Sequence, residues 1–173
     1  MQKPVQLDNA AIASGSGAYI LWLQANGAAA VQVGKLGCLQ MQSGWYCYIG
    51  SAMGPGGVAA RVGHHCRIAR KPRWHIDYLR AECHLRAVWY VLTPQRVEHA
   101  WVEVMASMPG AGQPLPGFGA SDHRGATHLF RFASLPRREA FVRHFEAHFP
   151  QLAENITIAS MNPEPCHDRL ESR

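Results

Sequence analysis

Short hydrophobic runs separated by glycine-rich breaks dominate the first third of the chain. A strand is predicted from Gly17, where G-A-Y-I-L-W-L-Q is followed by the break A-N-G-A. Residues 31–44 predict two short strands around a Gly-bounded turn. Gly44 then opens a further strand, G-W-Y-C-Y-I-G-S-A-M, in which Tyr46 and Tyr48 share one face because strand side chains alternate. Strands this closely spaced predict an antiparallel meander.

Helical spacing replaces the strand pattern after the Pro-Gly-Gly turn. Residues 58–70 predict an amphipathic helix ended by Pro72, residues 74–83 a short second helix, and residues 84–92 a strand. Pro94 begins another predicted helix with a single apolar stripe. That stripe consists of Val97, Trp101, Val104, Met105 and Met108.

The last third of the chain combines an irregular segment, a strand and a helix. Residues 109–125 are rich in Gly and Pro, and so long an irregular connection is usually functional or flexible. H-L-F-R-F, from His128, fits a return to the sheet. Residues 135–149 predict an amphipathic helix with phenylalanines spaced by four, and disorder is expected after Asn162.

These elements predict an α/β (α+β) fold, with a small, mostly antiparallel central sheet flanked by helices and a C-terminal helical extension. The predicted organisation has a flexible leader at residues 1–15 and a tail at residues 151–173. Between them lies one domain, residues 16–150, which includes the 109–125 loop and the C-terminal helix.

Composition narrows the class of protein. A chain of 173 residues is long enough for one well-packed domain. It has no apolar run of membrane-spanning length and no signal-peptide pattern, so no membrane partner is expected. The five cysteines are scattered without a Cys-x-x-Cys pair, which predicts reduced thiols in the cytoplasm.

The formal net charge of +5 is concentrated between Arg61 and Arg86, where aromatic side chains interrupt a run of basic residues. This pattern is typical of proteins that bind the phosphate backbone of nucleic acids, although a solvated basic face gives the same pattern. DNA is the expected partner. The candidate nucleic-acid-binding residues are Arg67, Arg70, Lys71, Arg73, Trp74 and His75.

Two tripeptides on separate strands carry a family resemblance. Gly17-Ala18-Tyr19 and Tyr48-Ile49-Gly50 resemble the paired signature of the GIY-YIG nuclease superfamily. The resemblance is closer to one branch, the small prokaryotic GIY-YIG-like proteins of the DUF123 family. Its features, in order, are G-A-Y-I-L, V-G-K-L-G, G-W-Y-C-Y-I-G-S-A, A-A-R-V-G-H-H, W-H-I-D-Y-L and P-G-F-G-A-S-D. They lie within residues 17 to 132.

The resemblance implies that Tyr19 and Tyr48 lie on neighbouring strands with their hydroxyls in one cleft, where one relays or accepts the proton of the attacking water. On the next helix, Arg61 and His65 are four residues apart beside the apolar stripe, whereas His64 is expected to point into solvent. Arg61 would clamp the phosphate. His65 would hydrogen-bond the phosphate or tune a tyrosine.

A carboxylate on the helix after Pro94 would hold the divalent metal, and Glu98 matches the family position. On a helical wheel Glu98 lies roughly 75° from the centre of the apolar stripe and Glu103 roughly 145° from it. Glu98 can therefore border the core, while Glu103 faces water. A single carboxylate with waters and a substrate phosphate suits Mg²⁺, and Mn²⁺ is an alternative.

Four further residues are weaker candidates for the site. Asp77 is a candidate helix cap or partner for a histidine. The family usually has Cys-x-Cys after the Ser-Asp of the Gly-rich loop, but here His123-Arg124-Gly125 follows Asp122. This departure argues against the family's metal site at the loop, although Asp122, His123 and His128 could still form an alternative one.

The predicted function is a metal-dependent endonuclease that hydrolyses phosphodiester bonds in DNA, in repair or recombination. Two alternatives stay open: a nucleic-acid-binding module that keeps the fold without turnover, and a structural subunit of a repair complex.

Overall fold

A computed structural model describes residues 12–120 and 126–163. These residues form a five-stranded sheet and a separate two-stranded sheet, in which every strand pair is antiparallel. The strands are β1 (Gly17–Ala25), β2 (Ala29–Val33), β3 (Gly37–Met41), β4 (Gly44–Ala52), β5 (His84–Leu92), β6 (Leu129–Phe132) and β7 (Ala159–Met161). The helices are α1 (Gly57–His65), α2 (His75–Arg80), α3 (Glu98–Ser107), α4 (Arg138–His148) and α5 (Pro150–Ala153). The predicted α+β class with a mostly antiparallel sheet is confirmed.

The five-stranded sheet has the order β6-β4-β1-β5-β7, with β1 at its centre. β1 pairs with β4 and β5, whereas β2 and β3 pair only with each other among the described strands. The expected meander is therefore wrong, because β1 bypasses the β2–β3 hairpin to reach β4. The burial pattern explains the difference: β1 is buried along almost its whole length, whereas β2 and β3 alternate between buried and exposed positions.

Two hydrophobic cores lie on opposite faces of the central sheet. Ile20 and Trp22 of β1 face the core that contains α3 and α4. Tyr19 and Leu21 face the core that contains α1, α2 and the hairpin. The alternation of strand side chains thus places the first tyrosine on the same side of the sheet as α1.

Helix α1 ends at His65, earlier than the predicted residue 70. The buried Arg80 side chain explains this end: its Nε donates to the His65 carbonyl at 2.6 Å and its Nη1 to the Cys83 carbonyl at 2.6 Å. Arg80 thereby satisfies a carbonyl that the end of α1 leaves free. The residues between α1 and α2 form an irregular connection.

Two other boundaries differ from the sequence prediction. Helix α3 begins at Glu98 rather than at Pro94, which places Glu98 in the first turn. The segment assigned to a C-terminal tail contains β7, which pairs with β5 and extends the sheet beyond residue 150. None of the helices in the described part of the chain is long and apolar enough to cross a bilayer.

Candidate functional site

Tyr19 of β1 and Tyr48 of β4 lie diagonally across neighbouring strands. Tyr19 is paired with Gly50 and Tyr48 with Leu21, and both tyrosines face the α1 side of the sheet. Their ring centroids are 6.5 Å apart. The structure thus brings the two signature tyrosines together, as the resemblance implies.

Gly50 is required by the position of the Tyr19 ring. A Cβ atom at residue 50 would lie 2.5 Å from both the Cζ and the hydroxyl oxygen of Tyr19, closer than side-chain atoms approach each other. The glycine of the Tyr-Ile-Gly triplet therefore makes room for the tyrosine of the other triplet. The two halves of the signature depend on each other sterically.

Gly50→Ala is expected to displace the Tyr19 ring and to lower the free energy of unfolding by about 1–3 kcal/mol, the usual cost of overpacking a core. Gly63→Ala is the matched control, because a Cβ there meets no atom within 4 Å and alanine favours the helix. Chemical denaturation of both variants measures the difference. Equal stability of Gly50→Ala and the parent would contradict the close approach.

The Tyr19 hydroxyl is hydrogen-bonded to His65 Nε2 at 2.9 Å in the interior. Burial lowers the pKa of His65 to about 4, so this imidazole is neutral at neutral pH. Burial raises the pKa values of both Tyr19 and Tyr48, with a further increase from the Glu98 charge. Both tyrosines are therefore protonated hydroxyls at neutral pH.

Arg61 of α1 provides the positive charge of the site. Its charge acts on both tyrosines and opposes the increase in their pKa values. The Arg61 Cζ lies 4.5 Å from the centroid of the Trp74 ring, a cation–π distance. Stacking on an aromatic face holds the guanidinium plane and leaves its N–H groups at the edges for hydrogen bonding.

Glu98 stands at the start of α3, half-buried, with His128 beside it. His128 Nδ1 lies 2.9 Å from Glu98 Oε1 and 3.1 Å from the Ile49 carbonyl oxygen. Both neighbours are acceptors, so Nδ1 carries the proton. Burial alone would raise the pKa of Glu98, but hydrogen bonds from His128 and Ser51 outweigh it and lower the pKa.

The donor set at Glu98 fits a hard divalent cation. The carboxylate is ionised and oriented by His128, and it acts electrostatically on both tyrosines. Mg²⁺ commonly binds through one or two carboxylates and keeps several waters. Glu103, in contrast, is exposed. The wheel prediction for these two glutamates is confirmed, although the metal itself stays a prediction.

The prediction that His64 points into solvent is wrong. His64 Nε2 lies 3.0 Å from Asp77 Oδ1, and the His64 ring packs edge-on against Trp74 at 4.7 Å. Asp77 also accepts hydrogen bonds from the backbone N–H groups of Arg73 and Trp74 through Oδ2. Asp77 therefore both caps α2 and orients a histidine, the two roles that the sequence left open.

The 109–120 part of the Gly/Pro-rich segment packs against Tyr48. The Phe118 ring lies 6.0 Å from that of Tyr48 and is completely buried. The Gly119 N–H donates to His75 Nδ1 at 2.9 Å, so His75 is engaged by this segment. Residue 119 has φ +74°, and a Cβ there would lie 2.8 Å from the Tyr48 ring. This segment forms one wall of the site.

The other candidate residues differ in their exposure and contacts. Four of the predicted nucleic-acid-binding side chains are exposed: Arg67, Arg70, Lys71 and Arg73. His128 contacts Glu98. The alternative metal-binding group with Asp122 and His123 lies outside the described residues.

Three residues that contribute to the structure of the site were missed by the sequence analysis. Ser51 hydrogen-bonds Glu98, Phe118 packs on Tyr48, and Arg80 fixes the end of α1. Ser51 follows the Tyr-Ile-Gly triplet directly, so its position beside the signature was the available signal. Arg80 lay within the basic run, where its burial could not be distinguished from the exposure of its neighbours.

Comparison with known proteins gives one match. A search of curated proteins and a search of solved structures each return no match. A family model described as "Domain of unknown function DUF123" matches residues 18–151, which is most of the chain and contains all the site residues described above. The chain therefore belongs to the DUF123 family.

Proposed function

We propose that this protein is a metal-dependent endonuclease of the GIY-YIG type that hydrolyses phosphodiester bonds in DNA. One observation carries the proposal: the Tyr19 and Tyr48 rings lie 6.5 Å apart on one face of the sheet, with Arg61 and Glu98 close enough for their charges to act on both hydroxyls. Phosphodiester hydrolysis needs an oriented water, an acceptor for its proton, and positively charged groups beside the negative phosphoryl oxygens. The tyrosine hydroxyls can orient the water and relay its proton, Arg61 supplies positive charge, and Glu98 can hold a cation that makes a bound water easier to deprotonate.

The tyrosines would orient the attacking water and relay its proton. Both hydroxyls are protonated at neutral pH, so neither is a resting phenolate. Tyr19 is already bonded to the neutral His65, which holds the Tyr19 hydroxyl in place beside the Tyr48 ring. Tyr48 has no hydrogen-bond partner among the described residues, which leaves its hydroxyl for water or substrate. Tyr48 is therefore assigned the direct contact with the water.

Arg61 would bind the phosphoryl oxygens that become more negative in the transition state. The Trp74 ring holds its guanidinium from one face, so less side-chain freedom is lost when the phosphate binds. Glu98 would hold a Mg²⁺ ion through its carboxylate, which His128 and Ser51 orient by hydrogen bonds. When bound, such a cation lowers the pKa of a coordinated water and neutralises phosphate charge.

The exposed basic residues between α1 and α2 would track the DNA backbone next to the site. They follow directly in sequence after His65, so backbone contacts there would position a phosphate near the tyrosines. Contacts of this kind carry affinity but little sequence information. The proposal therefore includes phosphate-backbone binding without a base preference.

DNA binding is expected to weaken steeply with salt, because each arginine contact to a phosphate releases counterions. Arg73→Ala should reduce the slope of log Kobs against log salt by roughly 1. Arg143→Ala is the matched control, since this exposed arginine lies on α4, across the sheet from the tyrosines. Fluorescence anisotropy over a salt series measures both slopes. A flat salt profile for the parent protein would argue against a nucleic-acid partner.

The nucleic-acid-binding module is the competing function, favoured by the exposed basic connection alone. These functions can be distinguished by an experiment with labelled linear and branched duplexes, in which anisotropy reports binding and product formation is measured at the same time. A nuclease gives binding and product, a binding module gives binding without product, and a structural subunit of a repair complex gives neither.

A further inference from the structure

Three potential metal ligands converge where α1 ends and α2 begins. His64, His65 and Asp77 each offer one donor atom, and all three atoms lie within 4.8 Å of one another. The ligands of a tetrahedral zinc ion with bonds of about 2.0–2.1 Å lie closer together than this, so a small contraction would complete the site. No other group of this kind occurs within residues 12–120 and 126–163.

The buried members of this group are oriented as metal ligands usually are. Asp77 Oδ2 accepts two backbone N–H groups, which fixes the carboxylate and directs Oδ1 towards His64. His65 uses Nε2 for Tyr19, and its Nδ1 has no hydrogen-bond partner although the residue is only 1% exposed. Metal-binding histidines typically use one ring nitrogen for the metal and bond the other to a neighbour.

We propose that His64, His65 and Asp77 bind a transition-metal cation of the Zn²⁺ class. Two imidazoles and one carboxylate match the ligand preference of Zn²⁺ better than that of Mg²⁺, which favours oxygen. The Asp77 carboxylate offsets the repulsion between a cation and the nearby Arg61 and Arg80. His64 is one-third exposed, so it gives the cation an entry path and leaves room for a water as fourth ligand.

The proposed Zn²⁺ site is separate from the Glu98 carboxylate, and binding of Zn²⁺ there does not require nuclease activity. It would join the last turn of α1 to the first turn of α2 and thereby fix both ends of the basic connection. It would also satisfy the buried Nδ1 of His65. Ligation at Nδ1 leaves the proton on Nε2, which would then donate to the Tyr19 hydroxyl oxygen.

The test uses the full chain, stripped with EDTA and dialysed, and titrated with Co²⁺ as a spectroscopic substitute for Zn²⁺. We expect one equivalent to give visible ligand-field absorption without the near-ultraviolet charge-transfer band of a thiolate ligand. Isothermal titration with Zn²⁺ should give one matching site, and saturation should raise the melting temperature.

His64→Ala should weaken Zn²⁺ binding at least about tenfold, since the loss of a group that merely supports a metal ligand already costs that much. His144→Ala is the matched control, because His144 stacks on His148 on α4, across the sheet from the three ligands, so Zn²⁺ binding should not change. Asp77→Asn, which removes the charge at constant shape, is the second variant. Absence of a one-equivalent site in the parent, or unchanged binding in both His64→Ala and Asp77→Asn, would overturn the proposal.

Discussion

Glu98→Gln is expected to abolish DNA cleavage and to leave DNA affinity equal or slightly higher. Glutamine keeps the shape of the side chain and an oxygen that can accept the His128 hydrogen bond, but it removes the charge that a divalent cation needs. Without a bound metal the carboxylate repels phosphate, so its neutralisation favours binding. The loss in kcat should be about a hundredfold or more, by analogy with removal of one transition-state stabiliser.

Glu103→Gln is the matched control for this substitution. It makes the same chemical change on the same helix at an exposed position, so cleavage should stay at the parental rate. Matched thermal melts of both variants would exclude unfolding as the cause of any loss. Parental cleavage by Glu98→Gln would place the metal elsewhere, with Asp122, His123 and His128 as the next group to substitute.

Tyr48→Phe is expected to lower kcat by about 10²–10⁴-fold, the usual contribution of a positioned proton-transfer group. The ring would still pack against Phe118, so folding should be little affected. The substitution therefore removes only the hydroxyl, which has no hydrogen-bond partner among the described residues. KM for DNA should change little, because backbone contacts made elsewhere supply most of the affinity.

Tyr46→Phe is the control for removal of a tyrosine hydroxyl from the same strand. Tyr46 is completely buried and its hydroxyl bonds the backbone of Gln42. Tyr46→Phe should cost about 1 kcal/mol of stability and leave kcat unchanged. Equal kcat for Tyr48→Phe and the parent protein would remove Tyr48 from the mechanism.

The strands and their buried faces could be predicted from the sequence, because alternation and glycine breaks are local signals. β1, β4 and β5 begin and end close to the predicted positions. The pairing of β1 with β4 was implied by the family resemblance but not by the strand pattern, since it depends on which strands are buried on both faces. Pairing between distant strands is decided by the tertiary core, which a strand pattern does not encode.

The residue types of the site were also predictable, but the partners of those residues were not. Helical geometry placed His65 towards the tyrosines and Glu98 at the edge of the core. It failed for His64, because a wheel describes one helix and cannot include Asp77 and Trp74, which approach from α2. The packing of Phe118 against Tyr48 is likewise a long-range contact that no local pattern indicates.

The most direct test of the central claim is incubation of the purified full chain with supercoiled plasmid and branched DNA in Mg²⁺ or Mn²⁺, and in EDTA. The account predicts nicked and linear products that require the cation and that are lost in Tyr48→Phe prepared in parallel. Absence of products with either cation, or equal products in EDTA, would contradict metal-dependent nuclease activity at this site.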